Sequence, residues 1–455
     1  MKFRYRSEEE MKDSGVEWIG SIPQKWEVTK LKMVTQSIGR GKSPEYVENS
    51  NVKVINQACI YWGNLNLDNV KYQNENFNYS RAKLYKGDLL INSTGTGTLG
   101  RTSVFNEEGE FIADSHVTVV SCENRKYSKY LGYAIRTNLY QELIYSTMVT
   151  GSTNQIELSR EGFRNMNVLV SSEEELTYII KFLDEKTAQF DSIISKKEAL
   201  IERLEEAKKS LISEVITGKV KVIKTSDGYE LVERKKEEMK DSGVEWLGWI
   251  TKEWDVKQVK HLATLNPSKS LVRKFTDENI EVSFIAMDSV RLGYINIEQN
   301  KNINEVIDGY TYFENDDIIM AKVTPCFENR NIAICKNLEN GIGFGSTELN
   351  TIRCFNEDNI EFLFYNLQEE NFMKVATYEM TGAGGLKRVP SSFILNAKFA
   401  YPERDEKKLI ADFLNEKMLE IDKVIDKTKS QLEKLKEAKQ SLISEAVTGK
   451  IEILD

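Results

Sequence analysis

At 455 residues the chain is too long for one ordinary domain, and its 40% hydrophobic and 10% aromatic content suffices for real cores. No run of about 18 apolar residues occurs, which excludes a spanning helix; residues 1–6 lead into acidic side chains, so no secretory signal is expected. The five scattered cysteines lack CxxC spacing and fit a reducing cytoplasm, and a formal charge of -9 requires any phosphate contacts to gather on basic loops of an acidic scaffold.

The first marked segment, Met11-Lys12-Asp13-Ser14-Gly15-Val16-Glu17-Trp18-Ile19-Gly20, reappears 228 residues on as Met239-Lys240-Asp241-Ser242-Gly243-Val244-Glu245-Trp246-Leu247-Gly248. Lys25-Trp26-Glu27-Val28 likewise matches Glu253-Trp254-Asp255-Val256. Two copies with a long period make a tandem duplication and not a solenoid.

Residues 30–170 are mixed but strand-rich. Gly41-Lys42-Ser43 hints at a P-loop, but Gln36 stands where that loop needs its earlier glycine. Val52-Lys53-Val54-Ile55-Asn56 and Asp88-Leu89-Leu90-Ile91-Asn92 read as strands. Gly95, Gly97 and Gly100 formally satisfy GxGxxG, with Asp114 further on. The β-branched and aromatic run Thr102-Ser103-Val104-Phe105 follows, so no helix N-terminus is available for a pyrophosphate, and a glycine-rich hairpin is predicted instead.

From Leu176 the apolar residues take helical spacing, through Ile179, Ile180 and Leu183. A seam of alternating four- and three-residue steps then runs Phe190, Ile194, Lys197, Ile201, Leu204, Lys208, Leu211, Val215, with Gly218 as a stop. Residues 258–400 are again strand-rich, with Phe284-Ile285-Ala286-Met287, apolar enough to be buried on both faces, and Asp317-Ile318-Ile319-Met320-Ala321 as strands. Asn266-Pro267-Ser268-Lys269 lacks the second proline and the aromatic ring of an adenine methyltransferase motif. His116 and His261 have no evident triad partners and read as structural. The helical seam returns as Ile421, Ile425, Thr428, Leu432, Leu435, Lys439, Leu442, Ala446, stopped by Gly449. Glu206–Glu214 and Glu437–Glu445 are near-copies 231 residues apart. At ~1.5 Å per residue each helix is about 60 Å long. The spacing predicts an antiparallel pair whose polar seam positions leave room for partner helices; a plain homodimerising coiled coil is the alternative.

Near-identical ends around divergent middles imply a common partner at the ends and two different ligands in the middles. The middles offer polar, locally basic loops. The first holds Arg40, Lys42, Ser43, Thr94, Thr96, Thr98, Arg101, Ser152, Thr153, Asn154 and Gln155; the second holds Lys269, Arg273, Lys274, Lys322, Arg330, Lys387 and Arg388. Arg and Lys suit guanine edges, Asn and Gln suit adenine edges, and glycine admits close approach to phosphate. Each residue alone is ordinary for an exposed loop; recurrence at corresponding places makes them candidates for DNA contact.

The chain resembles the specificity subunits of type I restriction–modification systems over essentially its whole length. The resemblance rests on the Met-Lys-Asp-Ser-Gly-Val-Glu-Trp openings at 11 and 239, on Ile-Pro-x-x-Trp-x-Val at 22–28, and on the Thr-Gly loop before each helix. It rests also on the Leu-Ile-Ser-Glu-x-x-Thr-Gly-Lys ends at 211–219 and 442–450. Thr251 replaces Pro23, and Val168-Leu169-Val170-Ser171-Ser172 departs from the usual proline-containing start of the helix.

The resemblance implies an α+β fold: two strand-rich α/β target-recognition domains joined by two long antiparallel coiled-coil helices, a pseudo-twofold internal repeat. The expected layout is a first recognition domain over 1–175, a helix over 176–219, a linker over 220–238, a second recognition domain over 239–405 and a helix over 406–450. It implies a non-catalytic, cytoplasmic, DNA-binding subunit of a system that defends against foreign DNA and reads an asymmetric bipartite site. Two methyltransferase subunits would dock at Phe190, Ile194, Ile201, Leu204, Leu211, Ile421, Ile425, Leu432, Leu435 and Leu442. Restriction (motor-nuclease) subunits would join them, and S-adenosylmethionine, ATP and magnesium would belong to those partners, with no cofactor or metal in this chain and no membrane contact. Two readers on one DNA face need about one helical turn, roughly 34 Å, between them. A scaffold without direct DNA readout remains the alternative.

Overall fold

The protein is described from a computed structural model, which covers residues 1–76, 78–151, 156–383 and 385–454. The chain divides into two compact units, Met1–Glu198 with Lys429–Asp455, and Ala199–Thr428. The duplicated halves of the sequence are therefore not the structural units, because each unit takes the end of its helix pair from the other repeat.

In the first unit an antiparallel sheet runs in the order Thr102–Val104, Leu89–Asn92, Val117–Ser121, Ser37–Arg40. The second unit repeats it as Ile332–Ile334, Ile318–Ala321, Leu349–Cys354, Ala263–Leu265. Leu89–Asn92 and Ile318–Ala321 are buried at every position, as expected of central strands covered on both faces. Burial on both faces belongs to Ile318–Ala321 and not to the strand Glu281–Ile285, where Phe284 stays partly exposed.

A second sheet in each unit is built on a parallel pair, Val52–Ile55 with Glu110–Ala113 and Glu281–Ile285 with Ile342–Gly345. Its outer strand differs. Tyr46–Val47 lies on Lys71–Gln73 in the first unit, whereas Thr311–Glu314 lies on Ile342–Gly345 in the second. Divergence of the two middles is thus topological as well as chemical.

The long helices span Glu173–Ile216 and Arg404–Val447. Asn167–Val170 pairs with Glu27–Lys30 just before the first, and Lys398–Tyr401 pairs with Asp255–Gln258 just before the second. The junction without a proline therefore has the same geometry as its counterpart. Ser172 Oγ accepts from the Glu175 amide at 3.3 Å and caps the first helix.

Within the first unit, Asp191 receives Lys439 Nζ at 2.5 Å and Lys197 Nζ reaches Gln431 Oε1 at 2.7 Å. One sequence rises as the other falls, so the helices pair antiparallel. In the second unit Lys208 binds Asp422. The seam lysines are thus satisfied across the pair, and Thr428 Oγ1 donates to Val424 O at 2.7 Å. Ile425 and Leu432 are buried, and the other eight apolar seam positions proposed for docking are partly buried.

Each core is closed by the end of a long helix. Ile443, Ala446 and Val447 pack with Trp26, Tyr130 and Phe182; Ile212, Val215 and Ile216 pack with Trp254, Phe372 and Phe399. Full burial of an aliphatic side chain contributes roughly 1.5–3 kcal/mol. Gly449 and Gly218 take φ of +70°, and a Cβ on Gly449 would stand 2.5 Å from Pro23 Cγ. Glycine ends both helices for want of space as well as for conformation.

The stretch expected as a linker contains a hairpin, Val220–Thr225 with Gly228–Glu233, in which Val220 faces Glu233. Its equivalent in the first unit is the pairing of Lys2–Tyr5 with Ile451–Leu454, where Tyr5 faces Ile451. Among the described residues no helix is long and apolar enough to cross a membrane.

Candidate nucleic-acid interface

Three chain segments meet at one edge of each unit. In the first, residues 93–101 connect the strands Leu89–Asn92 and Thr102–Val104, as the predicted glycine-rich hairpin. That loop is bonded to the Val149–Thr150 and Glu157–Leu158 hairpin, since Leu158 N donates to Ser93 O at 2.8 Å and Gly95 N to Ile156 O at 3.3 Å. Arg40 forms an ion pair with Glu157 and donates to Leu158 O at 3.1 Å. Ser152, Thr153, Asn154 and Gln155 lie outside the described residues.

The second unit repeats this joint. Thr324 N donates to Lys387 O at 3.0 Å and Val389 N to Lys322 O at 2.9 Å. These bonds hold the loop 322–331 to the Thr381–Ala383 and Leu386–Arg388 hairpin. Arg388 binds Glu348 in bidentate fashion, at 2.8 and 2.6 Å, and its hydrogen bonds and charge hold the Glu348 carboxyl below the usual range.

The register of the two loops shows which positions correspond. Asn92 N donates to Arg101 O at 2.9 Å and Ala321 N to Asn331 O at 2.8 Å, so Asn331, not Arg330, stands where Arg101 does. Arg330 instead occupies the place of Gly100, and both take positive φ, +56° and +82°. A left-handed arginine costs about 1 kcal/mol or more, and Arg330 is held there by an ion pair to Glu370 with its side chain only 14% exposed. Its guanidinium is committed to the fold.

The remaining candidates separate by partner. Lys42 Nζ donates to Asn78 O at 2.7 Å, and Ser43 lines a cavity of about 540 Å³ with Tyr46, Gln57, Asp114 and His116. Tyr46 donates to Asp114 at 2.9 Å, and its hydroxyl is pushed well up, first by burial and then by that carboxylate. Thr94 Oγ1 bonds His116 Nδ1 at 2.9 Å, and Thr98 Oγ1 donates to Thr94 O at 3.0 Å; Thr96 sits on the same loop. Lys269 donates to Ile307 O at 2.8 Å, and burial lowers its ammonium pKa. Arg273 pairs with Asp308 at 3.0 Å and Lys274 lies over Phe275. Lys269, Arg273 and Lys274 belong to the segment before Glu281–Ile285, apart in sequence from the loop–hairpin joint that carries Lys322, Lys387 and Arg388.

Arg101 differs from Arg40, Arg273, Arg330 and Arg388. Its guanidinium lies 5.4 Å from the Tyr61 ring centroid, its Nε is buried without a hydrogen-bond partner, and it forms no ion pair among the described residues. Tyr61 belongs to a third segment that sequence reasoning missed. Ile60 bridges Leu65 in a small hairpin whose Gly63 N donates to Thr102 O at 2.8 Å. Its counterpart pairs Val290–Arg291 with Tyr294–Ile295, and Gly293 N donates to Ile332 O, again at 2.8 Å. Matching glycines in otherwise unlike sequences were the one available signal.

Residues 23–203, which include the whole first interface, match the family model described as the type I restriction modification DNA specificity domain. Over that stretch the chain is similar to type I specificity subunits. It is 31% identical over 194 residues to the type I restriction enzyme EcoEI specificity subunit of Escherichia coli, across 42% of this chain and 32% of that one. The match thus spans about a third of that relative's length. Similarity to the type I restriction enzyme MjaVIII specificity subunit of Methanocaldococcus jannaschii extends over 440 residues at 22% identity, covering 95% of this chain and 94% of the relative. The fold is also that of a chain in a solved structure on complex assembly and conformational transition of the type I R-M system. That likeness has a TM-score of 0.65 at 11% identity and covers 94% of this chain and 99% of the other. As in this specificity family's expected architecture, the chain is mixed α/β with a packed pair of long helices.

Proposed function

We propose that the chain reads double-stranded DNA as the specificity subunit of a type I restriction–modification complex, each unit recognising one part of an asymmetric bipartite site. The observation that carries this reading is the repeated loop–hairpin joint. Two equivalent frames present different side chains, Arg40, Thr94 and Arg101 in one and Lys322, Lys387 and Arg388 in the other. A constant frame with variable tips is what two different base sequences require. The loops carry cations although the chain as a whole has a charge of -9, which fits local steering by a basic face.

In this reading the chain contributes no catalytic group. Two methyltransferase subunits dock on the helix pair and restriction subunits join them; S-adenosylmethionine, ATP and magnesium act in those partners. Ile193, Leu200, Leu419 and Val424 stay 43–57% exposed on the long helices, which supports docking there better than the occupied seam does. Selection of duplexes from a random-sequence library by the full chain, purified with whatever subunits accompany it, tests the reading. A split consensus is expected. Recovery of no sequence preference would favour a scaffold that joins partners without reading DNA.

A further inference from the structure

We propose that the two small hairpin tips, Tyr61-Trp62-Gly63 and Arg291-Leu292-Gly293-Tyr294, are base-contacting elements of the DNA interface, one for each part of the site. The inference rests on the DNA-reading function proposed above and assigns residues to it that the sequence did not suggest.

Both tips are anchored alike, through a glycine amide bonded to the first residue of the strand that leaves the variable loop. Each tip therefore stands beside the loop–hairpin joint of its own unit. In the first unit Arg136 backs the tip. Gly63 has φ of +89°, a Cβ there would meet the Arg136 guanidinium at 1.8 Å, and Arg136 Nη1 donates to Trp62 O at 3.5 Å. The tip presents two rings from a turn whose left-handed backbone at Gly63 favours glycine.

Those rings face solvent. Tyr61 and Trp62 are each 45% exposed and Tyr294 is 60% exposed. Adjacent exposed aromatics are unfavourable in water unless a partner covers them, and Trp, Tyr and Arg dominate interface energetics. The charge beside them selects the partner. Arg101 stacks on Tyr61 without a carboxylate among the described residues, and Arg291, exposed in the second tip, forms no ion pair among them either. An unpaired guanidinium next to a ring suits a guanine edge, and the ring suits a thymine methyl. A two-stranded ribbon fits the major groove. Phosphate contact alone would need cations but no rings, so the tips are assigned to bases.

The test uses the full chain, carrying Trp62→Ala, Trp62→Leu or Tyr294→Ala, in the random-duplex selection. Wild-type melting temperature for each variant shows that the exposed tip can change without loss of fold. Trp62→Ala and Trp62→Leu are expected to lose preference at one or more positions in one half of the consensus, with affinity for the parent site falling roughly tenfold. Tyr294→Ala should do the same in the other half only. If the wild type selects a split consensus and the variants select it unchanged, the tips do not read bases. Equal weakening on all duplexes with the consensus intact would also overturn the assignment, since it would mark phosphate contact. Failure of the wild type itself to select any sequence would sink the DNA-reading function instead.

Discussion

The indole of Trp26 donates a 2.8 Å hydrogen bond to Glu175, and that carboxylate also takes the Arg6 guanidinium at 2.5 Å. Arg6 in turn donates to Gly449 O at 2.7 Å, tying the opening repeat, the start of one long helix and the end of the other into one knot. The second unit has the same knot in Trp254, Glu406, Arg234 and Gly218. Arg6 and Arg234 have side chains only 8% and 4% exposed. Glu175→Ala should therefore leave the buried Arg6 with only the more distant Glu452, 3.9 Å away, and lower unfolding stability by about 3 kcal/mol. Urea unfolding measures it, and Glu406→Ala should behave alike. Losses under about 1 kcal/mol in both would make the knots no stronger than surface ion pairs.

Arg101 and Arg330 should respond differently to removal. Arg101→Ala is expected to weaken duplex binding and make its salt dependence shallower by about one unit of slope, because an unpaired cation is lost. Arg330→Ala leaves Glu370 with only Lys374, 3.8 Å away, and should show first as lower melting temperature. Titration of duplex at several salt concentrations, beside thermal melts, separates the two. Unchanged binding by Arg101→Ala at low salt would remove it from the interface.

Glu348→Gln should strengthen duplex binding. The bidentate carboxylate competes with phosphate for Arg388, so neutralising it adds positive charge to the loop and steepens the salt dependence. Acid acts in the same direction. Because Arg388 holds the Glu348 carboxyl below its ordinary value, the pair's contribution is present above the unfolded carboxylate range and is lost as pH falls through the depressed folded value. The gain on acidification should vanish in Glu348→Gln; a gain that persists undiminished there would come from another group.

Along the helix pair, burial sets the order of damage. Leu432→Asp or Ile425→Asp places a charge at a position 5% or 2% exposed and should cost at least about 3 kcal/mol. Leu204→Asp and Leu435→Asp, at partly buried positions, should cost less and weaken partner assembly more visibly than they unfold either core. Circular dichroism melts and co-purification rank the four. Full assembly by all of them would contradict the seam.

Much of this architecture is written in local patterns. The seam from Phe190 to Val215 shows because every third or fourth residue turns inward for many turns, and Ile318–Ala321 shows because a four-residue apolar run has nowhere to go but a central strand. Asp227-Gly228 after alternating Val220 and Val222 carries a hairpin signal as well, within the stretch expected as a linker. The tips at Tyr61 and Tyr294 were not legible. Strands of one or two residues have no periodicity, and their place beside the variable loops depends on bonds across about 40 positions, from Gly63 to Thr102 and from Gly293 to Ile332. The backbone place that Arg330 shares with Gly100 was not legible either, because glycine and arginine share no sequence signature though both take positive φ.

Each core borrows its closing wall from the other repeat's helix, and the borrowed triplets, Ile443, Ala446, Val447 and Ile212, Val215, Ile216, hold equivalent positions in near-identical sequence. A chain reduced to the first repeat would expose a vacant slot and, at its other end, the very plug that fits it. Two such chains could exchange plugs, so that a half-length gene would specify a domain-swapped homodimer.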